Sequence, residues 1–377
     1  MNATAQNLRA WAEIDFEALR SNVHFVRTRV GAGVRIMASV KADAYGHGLP
    51  QIAATLMQAG VDMFGVANLA EALTIRHVGE GWHVLLLGAA LPGERSEIVA
   101  HGLCPSLSSI EEALAFNSEA GRQKVRLPVH AVVDTGMGRL GFWHEDAAAA
   151  LVEISRMPHL EWRGLYTHFA SADDDADFTA LQWERFQGLI TCLGQQGLRP
   201  PLLHASNSAG LLRESRYHLD MVRPGVMIYG SSPLPEYQDC LIAPLSLKSR
   251  ITFLKEVGPG RTLSYGHTFT APHKMRVATV SIGYGDGFPR HLSGRAQVLV
   301  GGMRCPLLGR VTMDQILVDV SAIPAATPGD EVVLIGTQGG ERITADELAG
   351  LAGTISYEIF TGITKRVPRL YRGATAA

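Results

Sequence analysis

The side chains able to do chemistry stand at the ends of short apolar runs: Lys41, Asp134 with Arg139 just after it, His168, His204 with Asn207 and Ser208, and Arg223. One lysine, two arginines and a Ser/Asn turn make a strongly cationic set. It contains no paired carboxylates for general acid–base work and no grouping at metal-ligand spacing. A cup of this charge suits an anionic ligand that carries a phosphate. The lysine that opens KADAYGHG (41–48) points to Schiff-base chemistry, in which a primary amine condenses with a carbonyl.

Such residues converge only if the runs are parallel strands with their carboxyl ends on one side. The runs cover 34–40, 62–66, 84–87, 103–106, 129–134, 162–168, 202–205 and 221–229. Between them lie stretches of helical composition at 51–59, 67–77, 110–115, 145–155, 181–194 and 209–214. Eight β runs with helix-length connections predict an α/β fold, and eight is the count that closes a (β/α)8 TIM barrel. A doubly wound open sheet is the alternative, but no GxGxxG follows the first run.

After about Leu241 the style changes. The segments 245–254, 276–282, 296–300, 316–320 and 332–335 are strand-like, punctuated by GPG, GYGDG, VGG and TPGD, and only 344–352 looks helical. The expected organisation is a barrel over 1–240 and a mostly β C-terminal domain over 241–377, with residues before about 12 open to packing on the β domain. No low-complexity linker separates the two.

The chain has 377 residues, and 34 Lys plus Arg against 36 Asp plus Glu leave a net charge of −2. That balance argues against a nucleic-acid or anionic-membrane partner. Four cysteines lie far apart, without a CxxC, so neither a disulfide framework nor a zinc site is expected, and buried free thiols are. The opening MNATAQNLRAWAEID has no apolar signal core, and runs such as 84–91 are too short to span a bilayer. A soluble, cytoplasmic enzyme without metal is the expectation.

Seven motifs then carry a resemblance. VKADAYGHG (40–48), DTGMGRLG (134–141), HASNSAG (204–210), RPGVMIYG (223–230), LSYGHTF (263–269), GYGDG (283–287) and VTMDQ (311–315) resemble, in order, the signatures of the alanine racemase family. The resemblance implies a (β/α)8 barrel followed by a β domain, pyridoxal 5′-phosphate as cofactor, and a homodimer with shared active sites. It implies interconversion of L- and D-alanine by a two-base mechanism, supplying D-alanine for peptidoglycan.

By the same resemblance, Lys41 forms the aldimine with the cofactor and then acts as base on one face of the substrate. Its amine starts near pKa 10.4, so neighbouring cations and desolvation must lower it. Tyr265 is the base for the other face and reaches into the partner subunit's barrel. Met313, from the same partner, binds the substrate carboxylate through its backbone N–H; read alone it is core filler. Arg223 meets the pyridine nitrogen, braced by His168, with His204 in the same group. A guanidinium does not give up its proton, so that nitrogen stays unprotonated. Asn207, Ser208, Gly225, Val226, Tyr45 and Tyr357 surround the phosphate, although Tyr357 alone reads as a core aromatic. Tyr284 lines the entrance, and Arg139 contacts the cofactor's phenolic oxygen and the substrate carboxylate.

Two positions depart from the family pattern. Many members carry a carbamylated lysine two residues before the motif's Asp, where this chain has Val132, so the orientation of Arg139 needs another cause. Thr312 replaces a common cysteine. A racemase for serine or a broader range of amino acids, an amino-acid decarboxylase of the same layout, and a cofactor-binding protein built from the barrel alone are the alternatives. The roughly 135 residues after Leu241, with Tyr265 and Met313, argue against the last.

Overall fold

A computed structural model describes residues 5–373. The chain forms two compact units, one of Leu19–Ala44 with Leu49–Leu241, the other of the residues through Ala18, Tyr45–Gly48 and the residues from Ile242 onward. Two stretches from the first part of the chain therefore group with the C-terminal unit.

The first unit lays eight strands in one parallel path. Their spatial order is Met221–Val222, Arg35–Ser39, Met63–Val66, Val84–Leu86, Cys104–Leu107, Leu127–Asp134, Leu160–Tyr166 and Leu202–His204. The ends of the path meet, because the Asp220 amide donates to the Leu203 carbonyl at 3.0 Å and the Arg223 amide to the Ser206 carbonyl at 2.9 Å. A nearly closed (β/α)8 barrel results. Its strands are short and apolar because both faces are covered. Met37, Met63, Leu85, Cys104, Val132, Tyr166 and Met221 pack together as one buried cluster. Asn68, Ser109, Asp175 and Asn207 each cap a following helix by accepting the amide three residues on.

Several elements differ from their sequence reading. The run at 221–229 pairs only at Met221–Val222, since Pro224 has no amide to extend the ladder and a 3-10 turn follows at Val226–Tyr229. The helices Ile110–Arg122 and Ala176–Gln195 are longer than composition indicates. Cys104 and Cys305 are buried thiols, but Cys192 is half-buried and Cys240 is exposed in a 3-10 turn that buries none of its residues. Among the described residues no helix is long and apolar enough to cross a membrane, and no group of side chains could hold a metal ion.

In the second unit the strand Leu245–Val257 is the spine, pairing antiparallel with Ala10–Asp15, Met275–Val280 and Glu331–Gln338. Ala10–Asp15 also pairs, in parallel, with Arg369–Arg372. That early strand buries four consecutive residues, so no period of two marks it in the sequence. A second helix, Ser356–Gly362, follows Ala345–Ala352, where the sequence indicated one helix only.

The barrel strand Arg35–Ser39 hands over to an unusual segment. Ala42, Asp43, Ala44 and Tyr45 have φ between +53° and +55°, and Gly46 has +77°, so Lys41 opens a left-handed helical turn. Each non-glycine residue there costs about 1–2 kcal/mol, because its Cβ crowds the next carbonyl oxygen. Local hydrogen bonds offset this. The Glu71 carboxylate accepts the Ala42 amide at 2.7 Å and the Ala67 amide at 2.8 Å. Asp43 accepts the Leu49 amide at 2.7 Å, and the Ala44 amide reaches the Val40 carbonyl at 2.9 Å. Exposed Ala42 tests the strain. In a right-handed helix Ala→Gly costs about 1 kcal/mol; here Ala42→Gly removes the left-handed penalty. Its chemical-denaturation midpoint is expected to hold or rise, and a fall of the ordinary helical size would contradict the strain.

Candidate active site

Arg223 follows the short strand Met221–Val222 and is buried. Its Nη2 donates to the carbonyl oxygens of Thr167 at 2.7 Å and Ala205 at 2.9 Å, and lies 3.3 Å from His168 Nδ1. Its Nη1 lies 2.9 Å from His204 Nδ1. A guanidinium only donates, so both Nδ1 atoms accept, and both imidazoles are neutral with their proton on Nε2. His204 Nε2 is 2.9 Å from His130 Nδ1. His204 therefore donates there, and His130 is fixed in the same tautomer. One guanidinium sets the protonation of a chain of imidazoles that runs back into the barrel.

The electrostatics agree. Burial, and then the Arg223 charge, hold His168 and His204 well below the ordinary imidazole range and push His130 down to about 3. Burial also lowers Arg223 itself, to about 10. Tyr166 forms one wall, with the Arg223 guanidinium carbon 5.0 Å from its ring centroid and the His204 ring stacked at 4.7 Å. His130 was not among the sequence candidates. The available signal is its parity: on the strand Leu127–Asp134 it shares a face with Val132 and Asp134.

Lys41 is half-buried, and its amine is lowered first by burial and then by the Arg139 and Arg223 charges, with Glu71 acting in the opposite direction. Glu71, also absent from the sequence candidates, thus supports the lysine's turn and is the carboxylate nearest in effect to its charge. Arg139 is exposed, and its guanidinium makes no hydrogen bond or ion pair among the described residues. Its loop is held through backbone: the Asp134 carboxylate accepts the amides of Gly136 at 2.8 Å, Gly138 at 3.1 Å and Arg139 at 3.1 Å. Val132 is buried in the barrel's apolar cluster and offers Arg139 no charge.

Two turns close the same end of the barrel. The Gly225 amide donates to Ser208 Oγ at 2.9 Å, which puts the Asn207–Ser208 turn beside Gly225–Val226. The Asn207 side chain is engaged locally, accepting the Gly210 amide at 3.0 Å and donating to the Phe169 carbonyl at 3.3 Å. Lys41, Arg139, His168, His204, Asn207, Ser208, Arg223, Gly225 and Val226 are all strand-end or post-strand residues of the barrel unit. A set rich in cations, with Glu71 as its carboxylate, is suited to a ligand with more than one anionic group.

The remaining candidates belong to the other unit. The rings of Tyr45 and Tyr357 are 5.9 Å apart, the first buried and the second half-buried on the helix Ser356–Gly362. Tyr265 sits at the tip of the hairpin Thr262–Leu263/Phe269–Thr270 and is 70% exposed; its neighbours Ser264, Gly266 and His267 all have positive φ. Met313 is 53% exposed, which overturns its reading as core filler, and its amide has no partner among the described residues. The Tyr284 and Met313 turns are locked together, since the Tyr284 amide donates to Thr312 O at 3.0 Å and the Gly285 amide to Met313 O at 2.9 Å. A Cβ at Gly283 would lie 2.2 Å from Thr312 O, so that contact requires glycine.

A model of the alanine racemase N-terminal domain matches residues 14–233, and one of the C-terminal domain matches residues 244–371. An alanine racemase of Symbiobacterium thermophilum is 44% identical over 369 residues, covering 97% of this chain and 98% of that protein. One of Geobacter sulfurreducens is 43% identical over 96% of each. Among solved structures, the alanine racemase of Streptomyces coelicolor superposes with a TM-score of 0.92 at 37% identity, covering 98% of this chain and 99% of that one. The Bacillus anthracis alanine racemase with bound L-Ala-P gives 0.90 at 34% identity, with 97% and 95% covered. The chain belongs to the alanine racemase family.

Proposed function

We propose that this protein interconverts L- and D-alanine with pyridoxal 5′-phosphate, in a homodimer whose two subunits share each site, and that it supplies D-alanine for peptidoglycan. The observation that carries the reading is the buried, donor-only Arg223 between two neutral imidazoles, beside a half-buried lysine of lowered pKa. The barrel unit's donors suit the cofactor: Arg223 would meet the pyridine nitrogen, Arg139 the phenolic oxygen, and Ser208 with the Gly225–Val226 backbone the phosphate, with Asn207 shaping the turn; the family resemblance adds Tyr45 and Tyr357 to the phosphate. When bound, pyridoxal phosphate supplies an electron sink that makes the substrate's Cα–H acidic.

The chain's own residues do the rest. Lys41 Nζ would anchor the cofactor and carry the Cα proton on one face, and burial with the Arg139 and Arg223 charges favours its free amine. Arg223, although lowered to about 10, keeps its proton at neutral pH, so it would orient the ring without protonating it and limit how much charge the ring withdraws. Racemisation needs a second proton carrier on the opposite face, because one group tends to return the proton to the side it left. Tyr265 of the partner subunit takes that role: an exposed phenol on a hairpin tip has no packing duty in its own unit. The unpartnered Met313 amide of the partner subunit binds the substrate carboxylate together with Arg139, and Tyr284 lines the entrance.

Purified protein with pyridoxal phosphate is expected to form D-alanine from L-alanine. Lys41→Ala should abolish this, and Tyr265→Phe should lower it by about 10²–10⁴-fold, the usual scale for losing an acid–base group. Mixing the two inactive variants tests the shared site. A heterodimer then holds one intact Lys41–Tyr265 pair, so random exchange should restore about a quarter of wild-type activity. No recovery would mean that each site lies within one chain.

A second prediction concerns Lys41. Cofactor capture needs its neutral amine, so the capture rate rises as pH rises through the Lys41 pKa. Arg139→Gln removes a charge that lowers that pKa and is expected to move the capture midpoint to higher pH. Glu71→Gln removes a charge that raises it and should move the midpoint down. Shifts of the opposite sign, or none, would refute this electrostatic account, and stopped-flow absorbance at a series of pH values would decide.

A further inference from the structure

The opposite mouth of the barrel carries a second cationic site. A cleft open to solvent is lined by Arg35 and His83, at the amino-terminal ends of strands, by Arg163 from within the strand Leu160–Tyr166 and by Arg76 from the last turn of the helix Leu69–Val78, with Cys104 and His130 also on its wall. Lys41 and Arg223 follow the carboxyl ends of the strands Arg35–Ser39 and Met221–Val222, so this is a separate place in the same unit.

The positive charge there is poorly neutralised. Arg76 Nε donates to the His101 carbonyl and Nη2 to the Gly102 carbonyl, each at 3.1 Å, and Nη1 to the Trp82 carbonyl. These acceptors hold the side chain in place but leave its charge intact. Asp62, the acid on the cavity wall, pairs with Arg27 at 3.1 Å and also accepts the Ile36 amide at 2.8 Å. Arg163 pairs with Glu161 at 3.0 Å, but both side chains are about two-fifths exposed and the pair is weakened by solvent. The Arg35 guanidinium has no hydrogen bond or ion pair among the described residues. His83 feels the sum: burial and then Arg163, Arg35 and Arg76 lower its pKa, with no acid acting in the other direction.

We propose that this amino-terminal mouth binds a phosphate-class dianion, with Arg35 and Arg163 as forked donors, Arg76 as a fixed charge and His83 as a further donor. Guanidinium forks match the oxygen spacing of phosphate, and a dianion between them removes the mutual repulsion of three cations. Barrel catalysis occupies the other face, so the site is independent of the racemase assignment.

The test is calorimetric titration of the cofactor-loaded protein with inorganic phosphate, in a phosphate-free buffer of fixed ionic strength, with phenyl phosphate as a second arm. One saturable site per chain is expected. Arg35→Ala and Arg163→Ala should each weaken binding at least tenfold while racemase turnover without phosphate is unchanged. The His83 imidazole, assigned by loss of its NMR signal in His83→Gln, should titrate at higher pH when phosphate is bound. Binding of both probes identifies the phosphoryl group itself as the ligand, and binding of phenyl phosphate alone identifies a larger phosphate ester. No saturable binding of either, or equal binding by wild type and both arginine variants, would overturn the proposal.

Discussion

A guanidinium buried without a carboxylate partner is the constraint on which the barrel's working end depends. Burying an unpaired ion costs several kcal/mol unless its donors are all met. Arg223 offsets much of that cost through two of its nitrogens, Nη2 on the carbonyl oxygens of Thr167 and Ala205 and on His168 Nδ1, and Nη1 on His204 Nδ1. A carboxylate would neutralise the charge and could shuttle a proton. Carbonyls and neutral imidazoles do neither, so Arg223 stays a full cation that only donates. The requirement propagates inward: His204 must donate to His130, and His130 must lie against Gly164, where a Cβ would come within 2.4 Å of its Nδ1. A glycine in the middle of the strand Leu160–Tyr166 is thus explained by an arginine at the end of another.

The same economy of negative charge governs Lys41. Burial and then two arginines lower its pKa, and one carboxylate, Glu71, opposes them. Glu71 also binds the backbone of the left-handed turn that Lys41 opens, so one side chain both supports a strained conformation and adjusts the amine within it. Strain stored beside a reactive group fixes its direction at the expense of stability, a common arrangement at working sites. Arg139 differs. Its loop is rigidified through Asp134, but its guanidinium is not tied by any described residue, and Val132, two residues before that aspartate, is buried and apolar.

The barrel was legible because eight apolar runs alternate with helix-length connections, a pattern set by strands covered on both faces. The strand Ala10–Asp15 was not, because four consecutive buried residues show no alternation. The long run at 221–229 misled because buried backbone after Pro224 is as apolar as a strand but turns instead of pairing. Lys41, Arg139, His168, His204 and Arg223 could be singled out because each is a polar residue at the end of an apolar run. His130 could not be, since it lies within a run, and its role exists only through contact with His204, 74 residues away. Glu71 was hidden for the same reason: it reads as an ordinary first-turn acid of the helix Leu69–Val78.

The central claim is that Arg223 enforces a chain of neutral, Nε2-protonated imidazoles. Nitrogen-15 NMR of histidine-labelled protein, with His130, His168 and His204 assigned by single substitutions, tests it most directly. The expected spectrum shows all three rings with a protonated Nε2 and a bare Nδ1, and none titrating between pH 5 and 8. A His204 ring that carries a proton on Nδ1, or that titrates near the ordinary imidazole pKa of about 6.5, would contradict the account.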